Sequence, residues 1–206
     1  TWGRFVWMNV KTRPHLWLPL LFSAGLTQWQ YKKGKRPRID VKMAMMRWTM
    51  VGKSKTYLTN IAERFAQNEV ENGLRPGGIK AVQDHHAAGD IIIIVSAAVD
   101  IIVKPIAKHL NIPYALATDM AWDEDGNLLP NFASKNCYGP EKVTRLKALF
   151  DANPKMKQNH TIITMYSDSY SDLEIMQFCD VGVGVNPDKR LRAEANSLGF
   201  RVEDWN

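Results

Sequence analysis

Ser96, Lys142, Asp168 and Asp172 stand where a polar side chain can act on a ligand rather than only on its own backbone. Ser96 follows the run Ile91-Ile92-Ile93-Ile94-Val95, and Asp168 lies just after Thr161–Tyr166. Both runs read as strands, so both polar groups fall at carboxyl ends. In a doubly wound sheet, ligands bind outside those ends. The Ser96 hydroxyl, with the Ala97 N–H beside it at a predicted helix start, suits an anion. The Asp168 carboxylate suits a hard cation. Lys142 falls in the first turn of a helix predicted over 140–151, where the helix dipole disfavours a cation. That mild penalty points to a role outside the helix. Each residue also has a plainer use: a serine as a cap, an aspartate in a turn, a lysine on a surface.

The elements that must hold these groups change character near residue 73. Before it the chain reads as helical without a strand. Tyr57, Leu58, Ile61, Ala62 and Phe65 mark one helical face, for which Ser54 is a plausible cap. Met43, Met46, Trp48 and Met50 read as core. After the Arg75-Pro76-Gly77-Gly78 turn, strands and helices alternate. The run Ile91–Val95 fits a strand buried on both faces of a parallel sheet. Tyr114–Trp122 and Leu128–Ser134 read as two strands joined through Asp125-Gly126, a hairpin signal. Thr161–Tyr166 and Val181–Val185 read as further parallel strands, and Asn186-Pro187 as the opening of a last helix. The pattern predicts an α/β fold with a doubly wound parallel sheet, a β-hairpin and a helical cap. The cap is placed at 1–72 and the core at 73–206.

Composition narrows the setting. The chain has 206 residues, 45% hydrophobic and 23% charged, as expected of a globular protein. Cys137 and Cys179 form no metal-binding motif, which fits a reducing, cytoplasmic setting. The net charge of +6 is concentrated in Lys32-Lys33-Gly34-Lys35-Arg36-Pro37-Arg38. No stacking motif accompanies that run, so nucleic acid is not the expected partner. Leu16–Leu26 is apolar but shorter than the ~20 residues needed to cross a bilayer. Packing within the fold and contact with a membrane surface both remain open for it, so the protein is expected in the cytoplasm or peripheral to the inner membrane.

Taken in order, these pieces resemble the haloacid-dehalogenase superfamily, in its phosphoserine-phosphatase-like branch with a helical cap. Val95-Ser96-Ala97 looks like the second motif, whose hydroxyl binds the transferring phosphoryl group. Gly139-Pro140-Glu141-Lys142-Val143 looks like the third, whose lysine neutralises charge. Tyr166–Asp172 looks like the fourth, in which Asp168 would ligate Mg2+ and Asp172 would support the metal site. The family's first motif, Asp-x-Asp-x-Thr, is absent from this sequence. Thr1-Trp2-Gly3-Arg4-Phe5 resembles the stretch that follows that motif. The resemblance therefore implies a nucleophilic aspartate upstream of Thr1, and a chain that is inactive and poorly stable by itself.

The implied activity is hydrolysis of a phosphomonoester through an aspartyl-phosphate. A small substrate such as phosphoserine needs an arginine to grip its carboxylate. Arg47 lies roughly where relatives place one. The alternative is a lipid phosphate, since the apolar helix and basic run resemble the cap of bacterial phosphatidylglycerophosphate phosphatases. A third reading, from another class, is a non-catalytic phosphate-binding module. It applies if the chain truly begins at Thr1.

Overall fold

The computed structural model describes residues 2–158 and 161–206. Thr1, part of the stretch likened to the region after the first motif, lies outside the described residues. The front of the chain is helical, as expected: α1 (Trp2–Val10), α2 (Trp17–Lys32), α3 (Arg38–Thr49) and α4 (Lys55–Asn72). Ser54 does cap α4, its hydroxyl accepting from the Tyr57 N–H at 3.3 Å. Then follow α5 (Pro76–Ala88), β1 (Ile93–Val99), α6 (Asp100–His109), β2 (Tyr114–Thr118), β3 (Met120–Trp122) and β4 (Leu128–Phe132). The chain continues with α7 (Pro140–Ala152), β5 (Thr164–Ser167), α8 (Leu173–Phe178), β6 (Val181–Val185), α9 (Lys189–Ser197) and β7 (Arg201–Glu203).

The parallel sheet is in two parts. β1 pairs with β2 in parallel, Ile93 beside Tyr114 and Val95 beside Leu116. β5, β6 and β7 form a second parallel set in that order. Among the described residues no strand joins β1 to β5. The two parts nevertheless rest on one helical layer. Val143 and Leu146 of α7 and Ile175 of α8 pack against Ile93 and Val95 of β1, Leu116 of β2 and Met165 of β5.

Several expectations need correction. Ile93, Ile94 and Val95 are only half-buried, not enclosed on both faces. On the edge away from β2, β1 meets no strand among the described residues. β1 also runs on to Val99 through an irregularity after Val95, so Ser96 and Ala97 lie within the strand and α6 starts only at Asp100. The segment 114–122 divides at Asp119: β2 joins the sheet while β3 turns away to pair antiparallel with β4. The last helix is capped by Asp188, whose carboxylate accepts from the Arg190 and Leu191 N–H groups, and not by Asn186-Pro187. β7 is too short, at three residues, to have left a periodic signal.

Packing also crosses the boundary placed at 72/73. One apolar cluster joins Phe5, Met46, Met50, Leu58 and Phe65 to Val99, Ile102, Met120 and Leu128. The hairpin is tied to the helical front by backbone bonds, including Gly52 N–H to the Leu128 carbonyl at 2.9 Å. On the other side of the molecule, β6 is built to let Phe200 lie flat against it. A Cβ added at Gly182 would stand 2.6 Å from the Phe200 ring. Gly182→Ala should therefore destabilise the protein by about 1–3 kcal/mol through overpacking, read as a lower denaturant midpoint. An unchanged midpoint would show that this contact is not formed.

Candidate active site

Three separate segments converge on one cleft of about 440 Å3. β1 contributes Val95, Ser96 and Ala97. β5 and the turn after it contribute Met165 through Ser169, with Ser171 and Asp172, and α7 contributes Lys142. Arg38, Arg75, Tyr138, Val185 and Trp205 complete the wall. Each predicted site residue except Arg47 lines this cleft. Arg47 is exposed near the end of α3 and is not among the lining residues. Arg38, at the first turn of the same helix, is.

Lys142 is placed by its helix start. Gly139 adopts φ +56°, a left-handed conformation that costs glycine little, and Pro140 then fixes the first helical residue. Lys142 is only 5% exposed, and its ammonium meets Asp172 Oδ2 at 2.7 Å. The same oxygen accepts from the Ser167 hydroxyl at 2.8 Å, and Ser171 Oγ lies 3.3 Å from Oδ1. Lys142 therefore projects from the helix's unfavourable end because a buried carboxylate holds it there. Removing one member of such a pair leaves the other charged and unpaired.

Arg145, one turn further along α7, fixes the helix against the sheet. Its guanidinium donates to the Ala117 carbonyl, to Ser134 Oγ at 2.7 Å and to the Lys135 carbonyl at 2.8 Å. It also pairs with Asp119 and Glu141, each at 3.2 Å. Sequence patterning gave no sign of this, because an arginine at that point reads as solvated.

At Ser96 the chain forms a small turn, the hydroxyl oxygen accepting from the Ala98 N–H at 3.1 Å. The hydroxyl proton is left to point at a ligand. The Ala97 carbonyl behind it accepts from Lys42 of α3. Lys42 also donates to Asn136 Oδ1 at 2.5 Å, and Thr118 Oγ1 lies within reach of both acceptors at 3.3 and 3.2 Å. Lys42 is buried without a carboxylate, and burial, helped by the nearby Arg38 charge, lowers its pKa to about 8. This knot docks the helical front onto the strand that carries Ser96. A lysine inside an apolar helix pattern (Val41, Met43, Met46) is the one sign of it in the sequence.

Asp168 is exposed at the mouth, and its carboxylate makes no hydrogen bond or ion pair among the described residues. Its carbonyl accepts from the Asp188 N–H at 2.8 Å, and Asp188 Oδ2 accepts from the Tyr170 N–H at 2.8 Å. The turn is thus braced from β6's far end. No group of three His, Cys, Asp or Glu side chains capable of holding a metal occurs among the described residues. Mg2+ is usually held by one or two carboxylates together with waters and substrate phosphate. Asp168, with Asp172 beneath it, fits that modest demand. Trp205 lies tilted against Tyr166, ring centroids 5.3 Å apart, and lines the cleft.

Comparison with known proteins bears on the family and the fold. The model of the haloacid dehalogenase-like hydrolases matches residues 2–177. Protein CicA of Caulobacter vibrioides is 28% identical over 145 residues, 70% of this chain and 63% of CicA. A histidinol-phosphatase of Neisseria meningitidis is 27% identical over 149 residues, 72% of this chain and 67% of that enzyme. The chain thus spans less than two thirds of CicA's length. A probable phosphoserine phosphatase from Vibrio cholerae shares the fold, with TM-score 0.67 and 15% identity over 89% of this chain and 52% of that one.

Lys42 supplies a pH test of the site's frame. Its pKa is lower in the folded protein (about 8) than its ordinary 10.5. Between those values the unfolded chain holds the extra proton, so folding should strengthen as pH rises. The stability of the wild type relative to Lys42→Met should therefore increase from pH ~8 to pH ~10.5, measured by urea unfolding. A difference that stays flat, or falls, would mean that Lys42 is not buried against Ala97.

Proposed function

We propose that this chain, which belongs to the haloacid dehalogenase-like hydrolase family, binds the phosphoryl group of a phosphomonoester in its cleft and takes part in the ester's Mg2+-dependent hydrolysis. The observation that carries the reading is the convergence of Ser96, Lys142 and Asp168 from three distant segments on one cavity. A hydroxyl donor, an ammonium and an unpaired carboxylate are what phosphoryl transfer asks for. The chemistry is largely positioning plus neutralisation of charge on the equatorial oxygens.

In this reading Ser96 donates its hydroxyl proton to one phosphoryl oxygen. The Lys142 ammonium, held by Asp172, faces another. Asp168, with Asp172 in support, would hold the metal ion, which when bound supplies further positive charge against the phosphate. The nucleophile is an aspartate supplied from upstream of Thr1, on a strand that lies between β1 and β5. Its carboxylate oxygen bonds to phosphorus as the ester P–O bond breaks, and the leaving oxygen takes a proton from the second aspartate of the same upstream Asp-x-Asp-x-Thr motif, which then takes one back from the attacking water. Water then attacks phosphorus, and the aspartate and inorganic phosphate are released. What supports that placement is the pair of strand edges that meet no partner strand among the described residues, both lining the cleft.

A small anionic ester such as phosphoserine suits the cavity's volume and its lining. Arg38 and Arg75 are the guanidinium groups in that lining and would take a second anionic group of the substrate. They are better placed for this than Arg47.

The test is Asp168→Asn in the intact protein with an aryl phosphate as substrate. Turnover should fall at least about a hundredfold, with a parallel rise in the Mg2+ concentration needed for half-maximal rate. Turnover close to wild type would remove Asp168 from the metal site and the reading with it.

A further inference from the structure

Helix α2 is packed the wrong way round for a globular protein. Its outward side chains are its largest apolar ones: Leu18 is 80% exposed, Phe22 75%, Leu21 68%, Trp29 52% and Leu26 45%. At ~100° per residue these five fall within an arc of about 140°. The opposite side, which meets the rest of the protein, offers Leu20 with the smaller Ser23, Ala24 and Thr27. Nothing in the packing requires that arrangement, since a helix that served only the core would turn its leucines and Phe22 inward. Trp7 and Trp17 extend the apolar face, their rings 5.3 Å apart and Trp7 largely exposed.

The same helix runs directly into the basic segment. Lys32, Lys33, Lys35, Arg36 and Arg38 are all exposed. Arg36 reaches Asp40 at 3.4 Å; the other four form no ion pair among the described residues. An apolar face of this width followed by concentrated positive charge has two demands, removal from water and a counter-charge. Pairing with a second copy would meet only the first, because it brings another basic segment and no acid. An anionic lipid surface meets both. No helix among the described residues is long and apolar enough to cross a membrane, so the contact is with the surface.

We propose that α2 lies in the headgroup region of an anionic membrane with Leu18, Leu21, Phe22, Leu26 and Trp29 inserted and the Lys32–Arg38 run against the lipid charge. Such helices bury their apolar face to about 5–10 Å. Each basic side chain near the surface strengthens attachment about fivefold. The segment ends at Arg38, which lines the cleft, so docking brings the mouth of the candidate site beside the headgroups. The inference stands apart from the reaction assigned to that cleft.

It is tested with the intact protein and two kinds of vesicle, phosphatidylcholine alone and phosphatidylcholine with about a third phosphatidylglycerol. The protein should sediment with the anionic vesicles at low salt and stay in solution with the neutral ones. Raising salt from ~0.05 M to ~0.5 M should release most of it, as screening shortens the reach of the basic run. Leu21→Asp with Phe22→Asp should lower the bound fraction at least tenfold, and Lys32→Glu, Lys33→Glu and Lys35→Glu together should do the same. Helical circular dichroism should be unchanged in both variants, because the altered side chains already face water. Failure of the wild type to bind anionic vesicles at low salt would overturn the proposal, as would binding that survives both sets of changes. So would a stable dimer, seen by sedimentation velocity, that the Leu21 and Phe22 changes dissociate while no vesicle is bound. Binding is read without turnover, so an inactive protein that still binds leaves this inference standing and counts only against the hydrolytic one.

Discussion

Strand β1 is paired on one edge by β2, and β5 on one edge by β6, while the other edge of each meets no strand among the described residues. That constraint shapes most of what lies around it. Both edges border the cleft, so the polar wall of the candidate site is also the margin of an interrupted sheet. Buried backbone groups without partners cost ~1–3 kcal/mol each, a large share of the ~5–15 kcal/mol that holds a domain together. Beside the open edge of β1, Ile93, Ile94 and Val95 are half-buried. The shared layer of α7 and α8 keeps the two parts of the sheet side by side.

Fold and site are joined at Lys142. Its ammonium belongs to the cleft, but the carboxylate that fixes it, Asp172, hangs from the turn after β5. The helix that carries it is stapled to the β2 side of the sheet by Arg145. One buried ion pair thus spans the interruption between the two half-sheets. Such a pair is rarely a net gain in stability; here it sets the distance between the charges that would face a phosphate. Lys42 performs the corresponding service for the helical front, tying α3 to the carbonyl after Ser96.

Much of this was legible in the sequence because it depends on local signals. The β-branched runs, the Asp125-Gly126 turn and the Ser54 cap each announce their own conformation, and polar residues at strand ends announce a site. What was hidden depends on contacts between distant segments. Arg145 and Lys42 read as ordinary helix residues until their distant acceptors, up to 94 positions away, are known. The half-burial of β1 could not be read from Ile91–Val95, which looks the same whether or not a neighbour is present. Nor does the composition of α2 say which of its faces is turned outward; only the packing of Leu20 and Ala24 beneath it does. Arg38 closes the basic run in sequence, and only the fold brings it to the cleft.

A further parallel strand that brings the nucleophile is proposed to fill the gap between β1 and β5. Amide hydrogen exchange followed in peptides covering 93–97 and 164–167 tests it most directly, comparing this chain with one extended upstream. In the chain alone, the amides on the two facing edges should exchange with little protection. With the upstream segment present they should slow by at least about a hundredfold, while the amides bonded to β2 and β6 change far less. Equal protection of both edges with and without the added segment would contradict the account.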